Sequence, residues 1–416
     1  MKSRLLKTPT QTEKTRKISF FGLSGKSLSF FLFLWVVAFA IFTIWFFWET
    51  PVLSPLTSSS TFRFLKGARK SEGKVVFGFL PYWNLKKITL QSELTHLSYF
   101  GLTIGADGRI LTRTDEGGEP GFAKLDSQEL SEIITQLEEN NQQLEITFTQ
   151  FDPDDIYAFI SSEKAQEKFF SALDSVLLAY PVSGINIDIE YNGTEDEKLQ
   201  DNFSEFIGNL NQRMDAKYEN IKLSVSVYAS AIKGNLIWDV EALGKNADYI
   251  LVMAYDFHRR TSVKAGPVAP LFGGKDLWDN DISNYLQGFL KVVDGEKILL
   301  GVPFYGYEWQ TTSRDPRAHT FPDTGATASY ARVQTLLDPE TKEELSVEEG
   351  WNDQALSPYI SYIEDGEIFV IYYENSRSIS YKLDLVNQLD LAGIAIWALG
   401  YEGDSRELWE TVRRKL

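Results

Sequence analysis

The chain has 416 residues, 43% of them hydrophobic and 24% charged, enough apolar material for one large barrel or two ordinary domains and too much for a disordered or fibrous protein. A formal charge of −17 at pH 7 excludes a basic surface of the kind that grips nucleic acid through its phosphates. No cysteine is present, so disulfides, thiol nucleophiles and Cys-type metal sites are excluded, and the three histidines argue against a His-rich metal site; neither a metal nor a cofactor is expected.

In chain order, residues 1–27 are basic, with seven Lys or Arg against the single acid Glu13. Leu28 to Trp48 follow as 21 residues without a charge. At ~1.5 Å per residue such a helix spans about 30 Å, the thickness of a bilayer's hydrocarbon core. A cleaved signal peptide has an apolar run of only about 7–15 residues and a small-residue cleavage site. Here the run is longer and meets Glu49, Thr50 and Pro51. The pattern predicts one transmembrane helix over 28–48, with the basic tail 1–27 in the cytoplasm by the positive-inside rule and the rest of the chain outside a cell membrane. Residues 49–73, with Pro51, Pro55 and Ser58 to Ser60, predict a flexible linker.

From residue 74 to 416, short apolar runs alternate with helical patterns, which predicts βα units around a parallel sheet. Eight strands are expected, over 75–80, 97–102, 144–148, 184–190, 223–227, 249–255, 298–303 and 393–397. Helices are expected over 127–139, 155–179, 195–217, 281–293, 378–389 and 405–415. The fold class is therefore α/β, a (β/α)8 TIM barrel. Residues 307–377 read as a small α+β insertion between strands seven and eight, with Asp365-Gly366 as the turn of a hairpin.

The fourth strand carries the chemistry. In Gly184-Ile-Asn-Ile-Asp-Ile-Glu190, side chains alternate faces, so Asn186, Asp188 and Glu190 share one face and three isoleucines the other. An antiparallel strand with a wet face would show the same alternation. In a parallel barrel the polar face points inward, where a pair of carboxylates is costly unless they share a proton or serve a function.

This segment resembles the catalytic strand of glycoside hydrolase family 18, the chitinase-like family, whose pattern is Asp-Gly-x-Asp-x-Asp-x-Glu. Ser183 and Asn186 depart from it. The asparagine is similar to the di-N-acetylchitobiase and spore-cortex-lytic branches. Met253-Ala-Tyr255-Asp256, Gly301-Val-Pro-Phe-Tyr305-Gly306, Trp397, and Tyr82 and Phe100 near strands one and two fit the family's order. The resemblance implies a retaining hydrolase of β-linked N-acetylglucosamine glycans, of peptidoglycan or chitin type. In its substrate-assisted scheme the substrate's acetamido group attacks C1 to form an oxazolinium ion. Glu190 would be the acid, with Asp188 orienting the acetamido N–H, its charge keeping Glu190 protonated. Tyr255 would bond the acetamido oxygen, Asp256 would contact the same sugar, and Trp397 would stack beneath it. Asn186, Met253, Tyr305, Tyr82 and Phe100 would line the pocket. A non-catalytic lectin on the same barrel is the alternative; such proteins usually lose the acid.

Overall fold

The computed structural model describes residues 73–416 apart from Glu116, Glu195, Glu219, Asn235, Lys275 and Asp276. The expected basic tail, transmembrane helix and linker lie outside the described residues. Among the described residues, no helix is long and apolar enough to cross a membrane.

Eight parallel strands close a barrel in chain order: β1 (Val75–Pro81), β2 (His96–Thr103), β3 (Gln143–Gln150), β4 (Gly184–Ile189), β5 (Lys222–Tyr228), β6 (Tyr249–Met253), β7 (Ile298–Pro303) and β8 (Gly393–Trp397). Each is buried on both faces, which is why each reads as a nearly continuous apolar run. Two strands are shorter than the sequence suggests. β4 stops at Ile189 and β6 at Met253, so Glu190, Tyr255 and Asp256 sit just past the carboxyl ends of their strands.

Alternation divides the core in two. Ile185, Ile187 and Ile189 of β4 join Val225, Val227, Ile250 and Val252 in the large layer between strands and helices. The barrel interior is itself divided. Phe77, Phe79, Phe100, Leu251, Met253, Leu299 and Ala395 form an apolar half, contributed by β1, β2, β6, β7 and β8. The other half is polar and buried, with Glu145, Thr147 and Thr149 on β3, Asn186 and Asp188 on β4, and Ser224 and Ser226 on β5.

The helices follow the expected positions except that the one expected over 281–293 ends at Phe289 and another is broken. The span 155–179 is two helices, Pro153–Ile160 and Glu163–Ala179, because the Ser162 side chain accepts from the Ala165 N–H and starts a new helix. A short helix over Val240–Asn246, capped by Asp239, was not legible, since seven residues carry too little periodicity.

Between β7 and β8 lies a five-stranded antiparallel sheet in the order Ala326–Ser329, Tyr305–Thr311, Glu367–Tyr372, Ser357–Glu364, Glu348–Asn352, with two short helices beside it. The Asp-Gly hairpin forms: Asp365 and Gly366 have φ of 53° and 84°, and Glu364 pairs with Glu367. Positive φ at both turn positions matches the right-handed twist of the flanking strands. The chain leaves this sheet through Glu374, whose carboxylate accepts from Lys382 Nζ at 2.7 Å on the helix Ser376–Gln388.

Both members of that pair are 0% exposed. Removing one partner strands a charge in a dry environment, so Lys382→Met is expected to cost about 3–5 kcal/mol in urea denaturation. Adding Glu374→Leu should recover most of that loss; a cost below about 1 kcal/mol for the single variant would contradict a dry pair.

Candidate active site

The site is built from the carboxyl end of β4 outward. Asn186 is fully buried and donates through Nδ2 to Ser224 Oγ at 2.9 Å, while Ser226 Oγ donates to its Oδ1 at 3.1 Å. Two serines of β5 therefore hold the amide in place. Asp188, one pleat higher, is buried, and its Oδ1 has no hydrogen-bond partner among the described residues. Glu190 is more open and accepts from Tyr228 Oη at 2.7 Å through Oε2.

Burial pushes the pKa of Asp188 well up, and the neighbouring Glu190 adds to the rise. Burial also raises Glu190, with the charge of Asp256 helping and the Tyr228 hydrogen bond and Arg259 opposing. The two carboxyls thus form a coupled pair with a strong tendency to keep a proton. Asp188 is the more deeply buried of the two, and its rise is the larger.

Past β6, Asp256 adopts the left-handed conformation with φ of 60°, a region that Asp tolerates better than most residues. Its carboxylate accepts from Tyr305 Oη and, at 3.1 Å, from Tyr307 Oη. Both tyrosines belong to the first strand of the inserted sheet, which thereby fixes a residue of the barrel rim. Tyr255 packs edge-on to Tyr305 with ring centroids 6.2 Å apart. Burial and the surrounding carboxylates push its phenol well above its ordinary pKa, so it stays a hydrogen-bond donor. Met253 lies at the end of β6 in register with Tyr228.

Aromatic rings cluster at the end of β8. Trp397 meets Phe100 at 4.7 Å and Phe79 at 5.7 Å between centroids. Phe151 stacks near Phe100 at 6.5 Å, and Trp83 meets Phe100 edge-on at 6.2 Å. Trp83 and Phe151 are 45% and 46% exposed, large apolar faces left open beside this cluster. Tyr82 sits differently from its neighbour: its ring packs against Gly101, where a Cβ would come within 2.8 Å of it. Of the residues named from the sequence, the structure gathers Asp188, Glu190, Tyr255, Asp256 and Tyr305 around the strand ends, with Phe100 and Trp397 in the aromatic clusters that Tyr255 and Tyr305 also join.

Sequence reasoning missed Tyr228, Tyr307, Phe151 and Arg259. Ser224, Ser226 and Tyr228 follow the same period-two pattern as Asn186, Asp188 and Glu190, and that matching alternation was the available signal. Tyr228, Tyr255 and Asp256 also line a cavity of about 520 Å³ that extends toward Trp278.

The model of glycosyl hydrolases family 18 matches residues 74–402. The chain belongs to this family. It is 29% identical over 270 residues to "Uncharacterized glycosylase YvbX" of Bacillus subtilis, covering 64% of this chain and 70% of that one. It is 24% identical over 258 residues to "Probable di-N-acetylchitobiase 2" of Dictyostelium discoideum, covering 55% and 64% respectively. Among solved structures, the spore cortex-lytic enzyme SleL of Bacillus megaterium superposes with a TM-score of 0.66 at 17% identity, covering 84% of this chain and 75% of that one. The protein is thus a chitinase-like glycoside hydrolase of family 18, similar to both branches that Asn186 suggests.

The Tyr228 hydrogen bond favours ionised Glu190, so its loss raises the Glu190 pKa. In Tyr228→Phe, the basic limb of any Glu190-dependent kcat/KM profile is expected to move to higher pH. A limb that stays put or moves down would contradict the assigned bond.

Proposed function

We propose that the protein hydrolyses β-linked N-acetylglucosamine glycans with retention of configuration, the substrate's own acetamido group acting as the nucleophile. The observation that carries this reading is the placement of the second carboxyl. A retaining enzyme with its own nucleophile needs two carboxyls about 5–5.5 Å apart across the sugar. Asp188 instead lies on β4 itself, two residues before Glu190 and buried in the barrel. Asp256 is engaged by Tyr305 and Tyr307. Neither is free to attack from the opposite side of the ring.

In this mechanism the reacting sugar stacks on Trp397 and its 2-acetamido group enters the pocket between Asp188 and Tyr255. The acetamido N–H donates to Asp188, which favours the Asp188 anion and moves the shared proton to Glu190. Glu190 then protonates the leaving oxygen as the acetamido carbonyl closes on C1. Tyr255 donates to that carbonyl oxygen, and the Asp188 carboxylate balances the positive charge of the oxazolinium ring. Glu190, now ionised and steadied by Tyr228, takes a proton from the water that opens the ring. Retention follows from two inversions.

The family tie and the names of relatives such as the di-N-acetylchitobiase support glycans of this class. For placement, the reading is a single-pass membrane anchor at 28–48 that leaves the barrel outside the cell. It is supported by the charge-free run behind a basic tail.

Glu190→Gln is expected to lower turnover of a fluorogenic N-acetylchitooligosaccharide or of purified peptidoglycan by about 10²–10⁴ with an unchanged circular dichroism spectrum. Unchanged turnover would move the chemistry elsewhere, and tight binding without release by the wild type would favour the lectin.

A further inference from the structure

The cavity that begins at Tyr228 and Tyr255 is lined farther out by Arg259, Lys264, Arg317 and Trp278. Three cations around one cleft run against the composition of a chain whose net charge is −17. Among the described residues none of the three forms an ion pair. Arg259 Nε donates to the main-chain oxygen of Asp256 at 3.3 Å, and the Arg317 guanidinium lies 5.8 Å from the centroid of the Trp278 ring. Two acids share the lining, Asp256 and Asp279. Asp256 is occupied by its two tyrosines, and Asp279 is exposed to solvent. The His258 Nδ1–H donates to the Pro267 carbonyl at 2.9 Å, and burial lowers the pKa of the ring, which leaves it neutral.

The cations stand on a built surface. Lys264 and His319 pair across the two loops that carry Lys264 and Arg317, with Ala265 N–H bonded to Ala318 O at 3.0 Å and Thr320 N–H to Val263 O at 3.2 Å. Beside them the Trp278 Nε1–H is buried and has no partner among the described residues. The inner end of the cleft is Tyr228, which holds the acid Glu190. Tyr228 therefore links the cleft to the acid that would protonate the leaving oxygen.

We propose that this cleft selects glycans whose leaving sugar bears a carboxylate substituent, as the lactyl ether of peptidoglycan sugars or its peptide extension does, with Lys264 and Arg317 pairing with that carboxylate and Arg259 adding to the field. The inference rests on the hydrolase reading and narrows its substrate class. A chitin-type sugar offers only hydroxyl and acetamido groups here and leaves the cations unpaired, whereas a carboxylate meets charged donors.

The test compares soluble peptidoglycan oligomers with the same oligomers after carboxyl amidation. The full chain should show kcat/KM at least about tenfold higher for the carboxylated form, a ratio that shrinks in high salt. Lys264→Gln/Arg317→Gln should bring the ratio close to one, and Lys264→Arg/Arg317→Lys should retain most of it. A ratio near one in the wild type, or one that the Gln pair does not move, overturns the proposal. Calorimetric titration of Glu190→Gln with both oligomers separates this proposal from the hydrolase reading. Tighter binding of the carboxylated form without wild-type hydrolysis of either would sink the hydrolase and support the cleft; equal binding, or none, would sink the cleft whatever the turnover.

Discussion

Placing carboxyl groups inside a closed barrel is the constraint around which the site is arranged. Water would stabilise the ionised form of Asp188 far better than the barrel does, so the group has to hold a proton or be given a partner. The interior answers on one side only. Hydroxyls and an amide on β3, β4 and β5 make a polar half, while phenylalanines and aliphatic residues fill the half made by the other strands. Asn186 shows how closely that polar half is matched: its donor and acceptor both find serines of the adjacent strand. It brings no third carboxyl and no second titration to the Asp188–Glu190 pair. Asp188 keeps an unpartnered oxygen at the point where the polar half reaches the pocket, an unmet bond that a substrate N–H would satisfy.

The inserted sheet does mechanical work for the same site. Tyr305 and Tyr307 leave β7 on a strand whose partner carries Tyr372, and a Cβ at Gly306 would come 1.8 Å from the Tyr372 carbonyl oxygen. Glycine at this position lets the two backbones approach, and the tyrosines on either side then reach Asp256. A rim residue held in the left-handed conformation is thereby fixed by side chains from a separate sheet. The buried Lys382–Glu374 pair ties the exit from that sheet back to the barrel's helical layer.

The barrel was legible because strands buried on both faces leave continuous apolar runs; β7 and β8 begin and end where the pattern places them. The hairpin at Asp365-Gly366 was equally plain, since few dipeptides accept positive φ twice. Asn186, Asp188 and Glu190 could be assigned to one face from spacing alone. Which of the two carboxyls lies deeper could not, because sequence gives direction but not depth. Tyr228 stayed hidden because its importance comes from a neighbouring strand. Tyr82 and Trp83 are adjacent in the chain, and only the turn after β1 decides that the indole rather than the phenol lies beside Phe100. The cationic cleft had no local signature at all: Arg259, Lys264 and Arg317 come from two loops separated by β7 and part of the insertion.

The central claim is that Asp188 and Glu190 are a proton-holding pair poised by burial. Carbon-13 NMR titration of aspartate and glutamate side-chain carboxyls, assigned with Glu190→Gln and Asp188→Asn, tests it without any substrate. The account predicts that the wild-type pair retains a proton well above the ordinary carboxylate range near 4, and that removing either acid leaves the other to titrate alone at a lower pH. Two independent titrations at ordinary carboxylate values in the wild type would contradict it.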